Sequence, residues 1–542
     1  MILINPASEQ FGGLLSHYVP VGIPVPIGTL AAWMIKHHHA VRVADDELGK
    51  ITEEQIYSLV ADMPKPYVFG LSILAAQCSR AYDLQRMLKR LFPDCITVAG
   101  GIHVTAVPDE ALKAGFDFVI RGEGERPLLS LYEKIRAGKD WSGVESLSYK
   151  KPDGTFQHNR DGALIENLDE VPVFPYHLFN HPKYDYGFLT SSRGCPYKCS
   201  YCSQRLMTGL SFRFRSPQRI VEEIKILVED FGQTHITFYD DNFCFNRRRI
   251  IELADAICNS GLHKKCSFFV QTRADNFYEQ AIPHLKRANF TGVGFGMETA
   301  VERLAEVIQK GETIETHRKA IRLAQQHGMN VTLFMIFGLP TETHADRMAS
   351  FRFVEEMGIR FTKFNNLIPY PGTKLFNEVK DSGLMHVSPF WSNFNSTLTA
   401  TRSIFNTTPL PYIPEGTSEW QLKRDIFRCN MSWYLRPTML LDILKGGDKG
   451  PGFVKLPPAW WRKPTEILEM VKIALVLGSN YAVTLLPEKL GGLIYAAITG
   501  YLKKNRPPQM ESYDYQDEVF DGTKRNVVIE KKQTPITLAD HG

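Results

Sequence analysis

"SSRGCPYKCSYCSQ", residues 191–204, places Cys195, Cys199 and Cys202 within eight positions, while the other six of the nine cysteines (Cys78, Cys95, Cys244, Cys258, Cys266 and Cys429) stand singly. Three thiols this close, on a loop with Gly194 and Pro196, have three chemical readings. A disulfide fragment suits an exported chain. Here "MILINPASEQ" opens on a short apolar run, without the basic region and long apolar core of an export signal. The expected compartment is a reducing cytoplasm, where thiols stay unpaired. A zinc site usually takes four ligands in two spaced pairs, and a second pair is missing from this stretch. A cuboidal four-iron cluster also normally takes four cysteines. With three, one iron keeps an open coordination position, and an open position is what chemistry at the metal requires.

Working outward, the loop follows the apolar run "GFLTSS" (187–192), which begins an alternating series. Further strands are expected at "HITFYD" (235–240), "SFFVQT" (267–272), "GVGFGM" (292–297), "VTLFMIF" (331–337) and "FTKFNNLI" (361–368). Helical patterns lie between them. One of these, "SPQRIVEEIKILVEDFG", carries a Ser N-cap, a first-turn Pro and a terminal Gly. Six successive strand–helix units predict a partial parallel barrel over 184–395, with an open sheet as the alternative. A separate α/β series occupies 1–137, with strands at 2–6, 40–45, 67–74, 95–101 and 117–125. It predicts a doubly wound, Rossmann-like parallel sheet whose ligand sits at the carboxyl ends of its strands. Residues 138–183 read as a linker with a small hairpin, and 396–542 as a mainly helical region with a polar tail.

Composition restricts the partners. Among 542 residues, 44% are apolar and 23% charged, with a net charge of +4. That balance does not favour a nucleic-acid surface. No uninterrupted run of about 18 apolar residues occurs, so no membrane span is expected. The apolar patterns "TEILEMVKIALVLGSNYAVTLL" and "GGLIYAAITGYL" read first as packed helices or a lid, and second as a peripheral membrane contact. Arg193, Lys198 and Arg205 flank the cysteines, as cations for an anionic cluster or as solvated loop charges.

Cys-x3-Cys-x2-Cys, with Tyr201 before the last cysteine and a strand just ahead, resembles the radical S-adenosylmethionine (SAM) superfamily. The resemblance implies a [4Fe-4S] cluster held by Cys195, Cys199 and Cys202, with SAM on the open iron. One electron then cleaves SAM to a 5'-deoxyadenosyl radical that abstracts hydrogen from substrate. It also implies SAM-binding groups at the strand ends: Asp240 and Asp241 in "FYDDNF", Gln271 and Arg273 in "QTRAD", and Glu298 in "GFGMET". Each has a plainer reading as a cap or ion pair at a strand end. No catalytic acid or base is assigned.

The front sheet resembles the cobalamin-binding domain that precedes the barrel in one radical SAM subgroup. The resemblance rests on Ser72 and Leu74 of "LSIL", Gly100 and Gly101 of "VAGGIH", and "RGEGE" (121–125). Glycine at such a turn lets backbone approach a bulky ligand without a Cβ clash. Many cobalamin domains carry Asp-x-His-x-x-Gly to ligate cobalt. The corresponding stretch here, "ADDELGK", has Glu47 in place of histidine.

Together the resemblances imply a cobalamin-dependent methyltransferase acting on an unactivated carbon of a small-molecule or lipid-like substrate. An electron donor such as flavodoxin or ferredoxin would serve it. A cyclase, oxidase or rearrangement enzyme of the same subgroup is the nearest alternative. A non-catalytic iron–sulfur or cobalamin sensor is the alternative from another class.

Overall fold

The structure is a computed structural model that describes residues 1–8, 14, 18–397, 402–439, 441 and 462–505. The polar tail and most of "PPAWWRKP" lie outside the described residues.

The chain begins with a seven-stranded sheet. Its strands are β1 (Ile2–Asn5), β2 (Arg42–Asp45), β3 (Val68–Ser72), β4 (Ile96–Gly100), β5 (Phe118–Ile120), β6 (Leu147–Lys150) and β7 (Phe156–His158). Their spatial order is β2-β1-β3-β4-β5-β6-β7. The first five run parallel, and the order 2-1-3-4-5 is that of a doubly wound fold. β3 is buried at every position, as a strand covered on both faces must be. The hairpin β6–β7, read from sequence as part of a linker, pairs antiparallel onto β5 and extends this sheet.

The second sheet holds β8 (Phe188–Leu189), β9 (His235–Phe238), β10 (Ser267–Thr272), β11 (Phe290–Glu298), β12 (Asn330–Phe337) and β13 (Phe361–Asn366). These six pair in sequence order and all run parallel. Among the described residues β8 and β13 do not pair, so the sheet is an open, partial barrel. The expected helix after β8 is present as Pro217–Glu229, with the Ser216 hydroxyl accepting from the Arg219 amide at 3.4 Å.

The open edge at β13 is covered by the helix Glu419–Tyr434, which the sequence pattern did not single out. Asn430 on that helix does the work of a missing strand. Its Oδ1 accepts from the Phe364 amide at 3.1 Å, and its Nδ2 donates to the Phe364 carbonyl at 2.8 Å. An uncovered strand edge invites pairing with another chain, and a buried side-chain amide removes it.

The two sheets share a core. Ile4, Phe69, Leu71 and Val104 of the first belong to one apolar cluster with Leu304, Ile308, Leu339, Leu367 and Trp391 of the second. At its centre Trp391, fully buried, donates its indole N–H to Glu110 at 2.8 Å. Replacing Asn430 with alanine leaves both backbone groups of Phe364 unpaired, so we expect a loss of about 1–3 kcal/mol, read by denaturant unfolding.

Candidate active site

The cysteine loop is held before any metal binds. Asp240, at the end of β9, accepts from the amides of Ser191 at 2.6 Å and Ser192 at 2.8 Å. Arg249 lies behind it at 3.9 Å and also donates to the Ser191 hydroxyl. Asp240, expected beside SAM, is therefore enclosed and serves as the anchor of the cysteine loop. Its neighbour Asp241 accepts from the Gly194 amide at 3.0 Å and otherwise faces open space. The residue is solvent-accessible, and the protein around its carboxyl pushes it up to about 6.

Gly194 has φ +94, and a Cβ there would lie 2.2 Å from the Ser211 carbonyl oxygen. No other residue fits without moving the backbone. Further along, the Ser200 amide donates to the Ile308 carbonyl and its carbonyl accepts from the Leu375 amide, each at 2.9 Å. Tyr201 donates its hydroxyl to Glu298 at 2.9 Å. Glu298 ends β11 at φ +66, a costly conformation for a non-glycine residue, and lies 3.4 Å from Lys310 Nζ. The aromatic in the cysteine motif thus ties the loop to the fourth barrel strand.

Cys195, Cys199 and Cys202 are unpaired and partly exposed. Burial raises the thiols of Cys195 and Cys202, the latter to about 12, and the neighbouring Cys199 adds to both. Thiols that hinder one another's ionisation lose their protons to a cationic partner, which suits a metal cluster. Arg273 supplies a fixed positive charge beside them. Its guanidinium lies 3.6 Å over the Tyr197 ring and donates to Cys199 Sγ at 3.8 Å and to the Lys310 carbonyl at 2.8 Å. Asp275 at 2.8 Å and Glu312 at 3.5 Å hold it in turn. Lys198 on the loop and Arg205 at the start of the following helix are exposed charges. Sequence reading missed Tyr197, Lys310 and Glu312, since nothing local marks residues that act only through Arg273 and Glu298.

Behind this loop, strand register builds a concave face. Gln271 pairs with Gly294, and Gly294 with Thr332, while Gly296 pairs with Phe334 and Phe334 with Lys363. The opposite face carries Val270, Val293, Phe295 and Leu333, all in the core. On the concave side, a Cβ at Gly294 would lie 2.9 Å from Phe334 and 3.1 Å from Phe269. The glycines of β11 therefore give the two rings their space. The Gln271 side chain makes no hydrogen bond among the described residues, and Asn365 Oδ1 is buried without a partner. Burial pushes the Lys363 ammonium down to about 8.

The front sheet offers its carboxyl edge to the same region. Ser72 is buried, whereas Leu74 is 46% exposed, an apolar side chain that the protein leaves uncovered. Gly100 has room for a Cβ, with its nearest neighbour at 3.8 Å. Gly101 does not: at φ +100 its Cβ would fall 2.7 Å from the Ile73 amide nitrogen. Gly101 is thus required by the turn itself rather than by the approach of a ligand. In "ADDELGK" every carboxylate is engaged by protein: Asp45 by Asn5 and Tyr184, Asp46 by Arg80, and Glu47 by the Ser8 amide. That turn presents no group for cobalt, while the uncovered edge around Leu74 and Gly100 fits a broad apolar ring.

The edge is fastened to the cysteine loop by ion pairs. Arg193 reaches Glu123 at 3.0 Å and Glu125 at 2.6 Å, and Arg213 reaches Glu123 at 2.7 Å. The helix Arg205–Thr208, just past the cysteines, packs on Ile102–Ala106, just past Gly101. The glycine turn of one sheet and the thiol loop of the other are therefore neighbours.

A model of the radical SAM superfamily matches residues 189–354, and one of the B12 binding domain matches residues 13–131. The chain is a radical SAM enzyme with a B12-binding domain. With the two domains come a [4Fe-4S] cluster, SAM and cobalamin as cofactors. An uncharacterized methyltransferase of Pyrococcus horikoshii is 29% identical over 432 residues, 78% of this chain and 90% of that one. The anaerobic magnesium-protoporphyrin IX monomethyl ester cyclase of Rubrivivax gelatinosus is 26% identical over 351 residues, 62% of each chain. Among solved structures, the radical SAM methyltransferase TsrM from Kitasatospora setae, with cobalamin and a [4Fe-4S] cluster bound, superposes with a TM-score of 0.61. That match is 15% identical and covers 97% of this chain and 98% of that one, so it speaks to fold.

Gly194→Ala is expected to cost most of the bound iron without touching a ligand, because the loop must move to admit the methyl group. Iron per chain after anaerobic reconstitution is the readout. Glu123→Ala leaves Arg213 without a carboxylate partner in a nearly enclosed site, with Arg193 held by Glu125 alone, and is expected to destabilise the protein by about 3–5 kcal/mol, seen as a lowered unfolding midpoint.

Proposed function

We propose that this protein is a cobalamin-dependent radical SAM methyltransferase acting on an unactivated carbon of a small-molecule or lipid-like substrate. One observation carries the reading: the ion pairs from Arg193 and Arg213 to Glu123 and Glu125 set the cobalamin-type strand edge beside the three-cysteine loop. A substrate bound between them can then be served from both sides. When bound, the cluster with SAM supplies the substrate radical and cobalamin supplies the methyl group.

The roles of the chain's residues follow from their placement. Cys195, Cys199 and Cys202 hold the cluster, and Arg273 keeps a positive charge on the Cys199 sulfur, favouring the reduced form. Asp241, Gln271 and Glu298 would take SAM, with Tyr201 and Lys310 orienting Glu298. Ser72, Leu74, Gly100 and Gly101 form the edge that receives cobalamin. Phe269 and Phe334 exclude water from the concave wall. The electron comes from a small redox protein of the flavodoxin or ferredoxin type.

The likeness to a magnesium-protoporphyrin cyclase keeps a second reading in view, radical chemistry without methyl transfer. Product analysis separates the two. A methyltransferase forms S-adenosylhomocysteine along with 5'-deoxyadenosine, and label from the SAM methyl enters the product. Deoxyadenosine alone would overturn the proposal. In the same preparation we expect about four irons and one cobalt per chain. Cys199→Ala should lose nearly all the iron and all SAM cleavage while keeping its cobalt, and equal loss of both metals would contradict separate sites.

A further inference from the structure

Past the barrel the chain forms two helices, Pro464–Leu485 and Glu488–Lys504, which pack side by side and reverse at Leu486–Pro487. The first is 22 residues long and apolar enough to cross a membrane by length and composition, yet only 17% of its most apolar stretch is buried. The sequence reads these helices as packed or as a lid, and Leu477, Tyr481, Val483 and Tyr495 do pack against Ile404, Trp420, Phe427 and Met431. Beside Ile473, however, the fully buried positions of the first helix are polar and many aliphatic ones face outward, unlike a helix on a water-facing surface. Asn480 and Thr484 are buried against the protein, with Asn480 bonded to Ser403 at 3.1 Å. Leu468, Val471, Leu475 and Leu485 face outward at helical spacing. On the second helix Gly491 packs under Trp420 and Thr499 is buried, while Leu490, Leu493 and Tyr501 face outward. Leu475 is 68% and Leu493 69% exposed.

The inner side is bound to the body by polar contacts. Arg424 donates to the carbonyls of Thr484 at 2.9 Å and Leu486 at 3.2 Å, and Tyr18 donates to Glu466 at 2.9 Å. The hairpin is thus fixed in place, with its aliphatic side outward. Its two ends are basic: Arg462 and Lys463 precede the first helix, and Lys503 and Lys504 end the second, all four exposed. Trp460 and Trp461 immediately precede Arg462 in the sequence.

We propose that this hairpin docks the enzyme on an anionic phospholipid surface, lying in the interface rather than spanning it. The outward aliphatic rows enter the acyl boundary, and the four cations meet the headgroup phosphates. Charge complementarity favours this occupant over a second copy of the chain, whose own four cations would face these in a symmetric pair.

The test is flotation of the full-length, cofactor-loaded protein with phosphatidylglycerol-rich vesicles and with pure phosphatidylcholine vesicles. The wild type is expected to float with the first, less so as salt rises, and poorly with the second. Leu475→Asp with Leu493→Asp should weaken flotation by about tenfold or more, and Lys503→Gln with Lys504→Gln should weaken it without altering the aliphatic face. Both variants alter exposed positions, so retained melting midpoints and SAM cleavage show that the fold is intact. The proposal is overturned if the wild type stays with the dense fraction in both lipids, or if the double aspartate variant floats as well as wild type. It is equally overturned if the wild type is a dimer in solution that the aspartate pair dissolves, since a second copy would then be the partner.

Discussion

The constraint on which the rest depends is the four-charge contact between Glu123 and Glu125 at the end of the front sheet and Arg193 and Arg213 around the cysteine loop. Both glutamates and Arg213 are nearly enclosed, with Arg193 a quarter exposed. Ion pairs so buried add little net stability, because desolvation offsets much of the attraction. What they supply is position. Each guanidinium accepts only a narrow set of carboxylate geometries, so the angle between the sheets is set where the cofactors must meet. The apolar core shared by the sheets contributes the attraction, and the charges select one arrangement from those that core would permit.

Because Arg193 is taken up there, it is not the cation of the cluster. That duty falls to Arg273, on the third barrel strand, stacked on Tyr197 and braced by Asp275 and Glu312. Proximity in sequence offered Arg193, Lys198 and Arg205 without choosing among them, whereas in space it is Arg273 that donates to a cysteine sulfur. The distinction is chemical as well. Both arginines are paired with two carboxylates, and what sets Arg273 apart is that it also donates directly to the Cys199 sulfur, where it stabilises added negative charge.

The repeating architecture was legible from sequence because strand and helix periods are local: both parallel series appear where the apolar runs stand. The three thiols were legible because their spacing is short and their chemistry specific. What sequence could not supply is whatever depends on two distant segments at once. The "RGEGE" turn was recognisable as a strand–helix junction, but its two glutamates acquire a purpose only when Arg193 and Arg213 arrive from the other sheet. Likewise the hairpin at 147–158 looked like a linker because short, polar strands carry little pattern, and its sheet partner β5 lies upstream.

Asp240 and Asp241 show how far backbone contacts decide a residue's role. They are adjacent and chemically identical, and both lie past the end of β9. Asp240 accepts from two backbone amides of the cysteine loop and is buried at 4% exposure, while Asp241 accepts from one and stays exposed. A composition-based reading gives both the same role. The glycines of β11 show what strand alternation decides, since Gly292, Gly294 and Gly296 alternate with Val293, Phe295 and Met297. One face is packed by the strand's own side chains, while the room on the other is taken by Phe269, Phe334 and the Glu298 carboxylate. The glycines thus let two rings and a carboxylate from neighbouring positions lie over the strand, where larger residues would displace them.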